Sequence, residues 1–356
     1  MIKLLKYCPS GGNQQPCRLM LEESEINYTL TLRIEKNKNT HTYADPFYFG
    51  SLIGLGIMTY SVNYLAPSFG IKVLSITENL DQNPFDSKII FKLQKDFGLL
   101  NDLTQKKQEY FRKRFTDRNL FLSKKIPNEI KSDLFNRVSG IVSFETSKDR
   151  QRVINVLKKL SLIRFQNDQL FHELLQELTV NSENRGIPIK NLGLSYFLEK
   201  LMVMIKSFPL TIPYDLFHLW PNYESVTRPL KSSPEIWHLS EVGIEQIHWI
   251  ALGKKMMDIW MTLTENGIHL HPYGGPLILA NYFYQKKYFS FSIKHQSILN
   301  ELETMITDKT PLDFKKASIF LRVGYSNTPY MATPREYMDD EGLSVDKGPV
   351  FSAKSS

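Results

Sequence analysis

Tyr28, Leu30, Leu32 and Ile34 alternate with Thr29, Thr31 and Arg33, a period of two that predicts a half-buried strand. Asn37–Thr40 follows as a polar turn. The pattern then changes: Ser51–Leu65 carries almost no polar stripe and predicts a mostly buried helix, with Lys72–Thr77 a second strand. Asn79–Ser87 is rich in Asn, Asp, Pro and Gln and reads as a loop. Leu103–Lys113 has a helical period and many charges, and Ile126–Arg137 is a helix begun at Pro127. Val138–Phe144 predicts a strand, Asp149–Leu162 and Asp168–Val180 amphipathic helices, and Leu192–Ser207 a helix with a methionine-rich side. Ile244–Glu265 is long and strongly apolar, and Ser318–Val323 is a late strand. The tail after Asp340 is rich in Gly, Ser, Lys and Pro and reads as a mobile or partner-wrapping arm.

Two of these segments match each other. Gly56 is followed fourteen residues later by Gly70-Ile71-Lys72-Val73, and Gly253 fourteen residues later by Gly267-Ile268-His269-Leu270. Each interval is apolar with a helical period, long enough for about 21 Å of helix. Each ends in a glycine suited to the left-handed position beyond a helix. The pattern predicts two related halves. Helix-stop glycines are common, so a chance match is the competing reading.

With 356 residues the chain suffices for one large domain or two ordinary ones. No apolar run reaches the roughly 18 residues of a membrane span. Phe47–Ala66 comes nearest and is interrupted by Ser, Thr, Gly and Asn. Met1–Tyr7 is too short for a secretory signal and is cut off by Pro9. Cys8 and Cys17 are the only cysteines, so a reducing, cytoplasmic setting is expected. The net charge of +7 favours anionic ligands. Much of it lies in Lys106, Lys107, Arg112, Lys113, Arg114, Arg118, Lys124 and Lys125. Tyr110, Phe111, Phe115 and Phe121 interleave with these charges, as base-stacking platforms do. A solvated helix face with inward aromatics explains them equally well, and nucleic acid is not expected as a partner.

The densest local chemistry lies in Pro9-Ser10-Gly11-Gly12-Asn13-Gln14-Gln15-Pro16, just after a short helix end at Ile2–Tyr7. Its glycines let backbone approach a flat ligand, and Ser10, Asn13 and Gln15 offer short donors and acceptors. A plain helix-to-strand turn is the alternative. The run resembles the proline-serine-x-x-asparagine-x-glutamine-proline loop of the nitroreductase family, in which it lines the FMN pocket across a dimer interface. Cys17 stands where that family usually has tryptophan.

Three further segments carry the resemblance. Arg114-Phe115-Thr116-Asp117-Arg118 sets two guanidinium groups around a hydroxyl, a set suited to phosphate or to a structural ion-pair knot. It is similar to the arginine-x-serine/threonine-x-arginine/lysine signature that grips the FMN phosphate, which implies Arg114, Thr116 and Arg118 as ligands. Gly267 leads into His269-Leu270-His271-Pro272-Tyr273-Gly274-Gly275. Here Tyr273 and Gly274 match the family's turn whose backbone donor faces flavin N5. His269 and His271 share a strand face, but no neighbouring Cys or carboxylate completes a metal set. Leu321-Arg322-Val323-Gly324-Tyr325 and Thr333-Pro334-Arg335 are similar to the family's closing strand and proline-arginine element. That makes Arg335 a phosphate ligand and leaves Arg322 either a ligand or a structural partner.

The resemblance, closest to the tandem branch of the family, implies an α+β fold. Two fused half-domains would form an intramolecular pseudo-dimer, each a mostly antiparallel sheet flanked by helices. Residues 1–100 are the first half, 101–340 the second with a lid insertion, and 341–356 a tail. The ring-lining loop occurs only in the first half and the arginine motif only in the second, so one FMN per chain is expected. A lid would come from residues 78–110 or from the proline-rich 208–235. The implied activity is hydride transfer from NAD(P)H through flavin N5 to a nitro, quinone or other small acceptor. The cofactor then carries the chemistry and no catalytic side chain is needed. FMN storage without turnover is the alternative. The chain is expected to act as a monomer or homodimer away from membranes.

Overall fold

A computed structural model of the chain describes residues 1–24, 27–35, 45, 47–144, 146–180, 186–207, 219–275, 295–300, 316–327 and 344–345. The expected Asn37–Thr40 turn, the Thr333–Arg335 element with Arg335, and the tail apart from Ser344–Val345 lie outside these residues.

Two antiparallel sheets organise the described chain. The first contains β1 (Cys17–Glu23), β2 (Asn27–Ile34), β3 (Ile71–Asn79) and β4 (Lys88–Lys95), in the order β1-β2-β4-β3. Ser344–Val345 adds to its β1 edge in parallel. The second contains β5 (Ile141–Ser143), β6 (Glu235–Ser240), β7 (His269–Tyr273) and β8 (Ser318–Gly324), in the order β5-β6-β8-β7. Strand order and antiparallel pairing are therefore the same in both sheets. In each, a long helix joins the second strand to the third: α2 (Phe49–Leu65) in the first and α8 (Gln246–Glu265) in the second.

Those helices are the two members of the sequence repeat, and they meet at its glycines. A Cβ on Gly56 would lie 2.0 Å from the Ile250 carbonyl oxygen, and one on Gly253 2.1 Å from the Ile53 carbonyl oxygen. Each would also stand 3.1 Å from the Cα of the other glycine. Ile53 and Ile250 each precede their glycine by three residues, so the contact is reciprocal. Away from the crossing, Phe49 stacks on Trp249 at 4.4 Å, the Tyr60 hydroxyl donates to Asp258 at 2.8 Å, and the Tyr64 hydroxyl donates to Glu265 at 2.6 Å. Because α2 lies between sheet and helix, it is buried nearly all round. Its hydroxyls are satisfied within the helix, Thr59 by Leu55 O and Ser61 by Ile57 O. One continuous apolar core runs from both sheets through α2 and α8.

The period-two strand occurs as β2, with Leu30, Leu32 and Ile34 facing the core. The sequence reading missed β1, β4 and β6. Ile89, Phe91 and Leu93 of β4 alternate with exposed Lys88 and Lys92 but sit beside a polar loop. Ile236–Leu239 of β6 is buried on both faces, so it lacks any alternation. β4 lies between β2 and β3, which corrects the placing of a lid over residues 78–110. The proline-rich segment is likewise not a loop in its described part. Leu219–Asn222, Tyr223–Thr227 and Arg228–Ser232 are consecutive helical turns, with Leu230 fully buried.

Other boundaries shift for local reasons. The Leu192–Ser207 helix is split by left-handed Gly193 into a 3₁₀ turn, Ile189–Leu192, and α7, Tyr196–Ser207. The strand expected over Val138–Phe144 keeps only Ile141–Ser143, since Val138 closes α4 (Asn128–Arg137) and Gly140 is left-handed. α3 (Asp102–Lys113) and α5 (Ser147–Gln166) fall close to their expected spans. α6 (Asp168–Glu177) ends before the short pairing of Leu178–Thr179 with Ile187–Pro188.

Two predictions follow from this packing. Gly253→Ala places a methyl group against the α2 backbone and should cost about 3 kcal/mol, read from urea unfolding. His238 of β6 packs on Phe320 at 4.9 Å, and burial lowers its imidazole from 6.5 to about 4. Below pH 6.5 the unfolded chain binds a proton that folded His238 refuses, so stability falls as pH drops toward 4. The slope should be about 1.4 kcal/mol per pH unit, and His238→Leu should flatten it.

Candidate functional site

The loop at residues 9–16 begins where α1 (Ile2–Leu5) ends and delivers the chain to β1. Its neck is closed by the Gln15 amide donating to Ser10 Oγ at 2.9 Å. Gly12, Asn13 and Gln15 all have positive φ, at 56°, 58° and 50°. For Asn13 and Gln15 that conformation is strained and persists only where the surroundings enforce it. Asn13 is held from outside the loop, its Nδ2 donating to Gly186 O at 3.0 Å. Gly12 faces Glu177: a Cβ there would stand 2.7 Å from the Glu177 carboxyl carbon. Gly11 is exposed, and Pro9 is buried beneath the loop.

Glu177, the last residue of α6, joins this loop to a cluster of cations. It accepts from Arg164 at 2.8 Å, and it is within electrostatic reach of Arg118. Gly275 lies beside the same Arg164, and Gly274 packs on Ile319. Arg118 also feels Tyr273, Arg322 and Asp117. Burial pulls its guanidinium down to about 10, with Tyr273 opposing and Arg322 adding to the shift. It remains a cation at neutral pH.

Arg322 lies in β8 opposite His271 of β7 and is wholly buried. Its guanidinium stacks on Phe121 at 4.0 Å and donates from Nη2 to the carbonyls of Asp117 and Asn119. The Arg322 side chain also interacts with the Tyr273 hydroxyl, whereas His271 Nδ1 and Arg164 Nε have no hydrogen-bond partner among the described residues. Burial, reinforced by Arg322 and Arg118, holds the His271 imidazole well below its ordinary range, so it is neutral. The Tyr273 hydroxyl donates to Ser225 O at 3.1 Å, and burial pushes its pKa above the usual phenol value against the pull of both arginines. Asp117 is fully buried. Burial pushes its carboxyl up, but hydrogen bonds from His269, Ser326 and Asn119 outweigh that and hold it below the usual range. The His269 contact is 2.6 Å.

The structure thus brings Gly12, Asn13, Arg118, Tyr273 and Gly274 around Glu177, Arg164 and Arg322. It takes Arg114 elsewhere. That guanidinium lies over Trp260 at 4.4 Å and donates to Tyr7 O at 2.9 Å. Thr116 is held by a backbone bridge to Leu270. Arg114 is the residue that caps the C-terminus of α3, and its side chain lies apart from Arg118. Glu177 and Arg164 were not read as site residues, and no local motif marks them. Arg322 carries a visible signal, one arginine in the otherwise apolar strand SIFLRVG. Among the four aromatics of the basic segment, Phe111 and Phe121 are buried and Phe115 packs edge-on against His269. No group of three or more His, Cys, Asp or Glu residues that could hold a metal occurs among the described residues. No described helix is long and apolar enough to cross a membrane.

The cluster's excess of buried donors suits an anionic group such as a phosphate. The recess beneath the loop, lined by Leu5, Cys8, Pro9, Ser10 and Cys17 among others, holds about 20 Å³, the room of one water. That volume does not admit a planar ring.

No protein-family model matches the sequence, and no curated protein matches it. Among solved structures the chain is similar to the FMN-dependent nitroreductase NfnB from Mycobacterium smegmatis in complex with NADPH. That match has 13% identity and a TM-score of 0.36 and covers 66% of this chain and 96% of the other. A second match is a mutant of the FMN and NADPH-dependent nitroreductase NfnB derived from Sphigopyxis sp. strain HMH. It has 12% identity and a TM-score of 0.33, with coverage of 67% and 98%.

Asp117 underlies the local geometry, since it anchors His269, Asn119 and the segment that carries Arg118. Asp117→Ala should therefore cost about 3 kcal/mol of unfolding free energy, measured in urea, because it strands buried donors.

Proposed function

We propose that the chain is an FMN-binding oxidoreductase of the nitroreductase type, built as a pseudo-dimer of residues 1–100 and 101–340 with one flavin site. The observation that carries this reading is the meeting of the Gly12–Asn13 loop, from the first half, with the Arg118–Arg322–Arg164 cluster of the second. A site whose ring-facing loop and anion-holding cations come from different halves needs both to be complete. The identical strand order of the two sheets and the reciprocal Gly56–Gly253 contact support the duplicated architecture.

In this reading Arg118 and Arg322 hold the phosphate, Arg118 from the loop after α3 and Arg322 from β8. Ser10 and Gln15 hold the neck of the loop, so that Asn13 and the left-handed Gly12 can bring a short polar group and backbone close to the ring edge. Tyr273 and Gly274 close the opposite side at the end of β7. Bound FMN would supply the two-electron chemistry between NAD(P)H and a small nitro, quinone or similar acceptor. Apart from orienting the cofactor, the side chains exclude water from the cluster. The acceptor is set by whatever fits over the ring.

FMN titration followed by fluorescence tests the reading. One flavin per chain should bind, and Arg118→Ala should weaken binding about 10- to 100-fold, the worth of one charge-assisted bond to phosphate. NADPH or NADH added without oxygen should bleach the flavin absorption. A stoichiometry of two sinks the single shared site, failure to bind FMN sinks the whole reading, and bound flavin that neither nucleotide reduces points to storage.

A further inference from the structure

Cys8 and Cys17 bracket the strained loop. Both stand as thiols, and both are nearly sealed from solvent, at 5% and 4% exposure. The loop is pinched between them. Gln15 N donates to Ser10 Oγ at 2.9 Å, Asn13 N to Ser10 O at 3.1 Å, and Gln14 N to Gly11 O at 3.0 Å. Two residues outward on each arm of that pinch lie Cys8 and Cys17. Each arm is anchored: Cys8 N bonds Leu5 O at the end of α1, and Cys17 is paired with Ile34 in the first sheet. Both cysteines line the same recess of about 20 Å³, with Ser10, Gln15, Gly54 and Met58 around them. Each thiol sits within electrostatic reach of the other, and burial followed by Cys8 pushes the Cys17 thiol up. Nothing in the flavin reading uses either cysteine.

We infer that Cys8 and Cys17 are a reversible redox pair, whose disulfide under peroxide clamps the neck of the residue 9–16 loop. The chemistry is a two-electron oxidation. One thiol attacks the peroxide, the O–O bond breaks, and a sulfenic acid and one water form. The other sulfur displaces the sulfenic oxygen, which leaves as a second water carrying the remaining thiol proton, and the S–S bond forms. The electrons pass from the two sulfurs to peroxide. Because the recess admits little more than a water, only a small oxidant reaches the pair. The ring so closed spans few residues, so its effect is local: it limits the excursions of Gly12, Asn13 and Gln15.

The test uses the full chain as purified, without added flavin, and so does not depend on cofactor binding. The native protein is exposed to hydrogen peroxide, denatured, alkylated with N-ethylmaleimide and digested for mass spectrometry. Both thiols should escape alkylation in the same molecules, with a Cys8–Cys17 linked peptide that dithiothreitol abolishes. Amide exchange at residues 10–15 should slow on oxidation and recover on reduction, and should not respond in Cys8→Ser or Cys17→Ser. Three results would overturn the inference: thiols that remain fully alkylatable after peroxide, separate oxidation of each to sulfinic acid, or a bridge between two chains on a non-reducing gel.

Discussion

The fold depends on two helix backbones coming into contact. Where α2 and α8 cross, Gly56 and Gly253 each leave the space that a Cβ would fill, and each presses on the carbonyl of the isoleucine one turn before the other. With side chains there, the axes would separate toward the usual 8–10 Å and the flanking contacts would be lost. Those contacts are the Phe49–Trp249 stack and the hydrogen bonds of Tyr60 and Tyr64 to Asp258 and Glu265. Both sheets pack against this pair, so the distance between them follows from two missing methyl groups. The reciprocal geometry also sets where residues near α2 can touch those near α8.

One such meeting point is electrostatically costly. Arg322 is fully buried and disfavours the charge of half-buried Arg118, and His271 is held neutral by both. Burying cations together is unfavourable without an opposing charge. Glu177 and Asp117 provide part of it: Glu177 is shared with Arg164, and Asp117 is drawn toward His269. The backbone carbonyls of residues 117 and 119, with the Phe121 ring, provide more. The guanidinium donors left over on Arg322 and Arg164 give the cluster capacity for an anion.

Much of the architecture was readable where the periodicity was unambiguous. The alternation at Tyr28–Ile34, the unbroken apolar runs of α2 and α8, and their fourteen-residue glycine spacing each correspond to an observed element. β6 escaped because burial on both faces erases the period that distinguishes a strand. β4 alternates clearly, but neighbouring loop residues masked it. The site was legible only in pieces. Loop 9–16 stood out by composition and proves to be strained. Arg114 and Arg118 looked like one grip because they are close in sequence, yet the first serves Trp260 and Tyr7 and the second faces Tyr273.

By itself, then, the sequence determined the local elements, the fourteen-residue glycine spacing of two helices and the unusual loop, since these rest on interactions between near neighbours: side-chain period, glycine freedom, helix stops. It could not determine that Glu177 would lie over Gly12, that Asn13 would reach Gly186, or that Arg322 would stand beside Arg118. Those partners are separated by more than a hundred residues and share no pattern. Only the crossing of α2 and α8 and the register of β7 on β8 bring them together, because distance in space is fixed by packing and not by order along the chain.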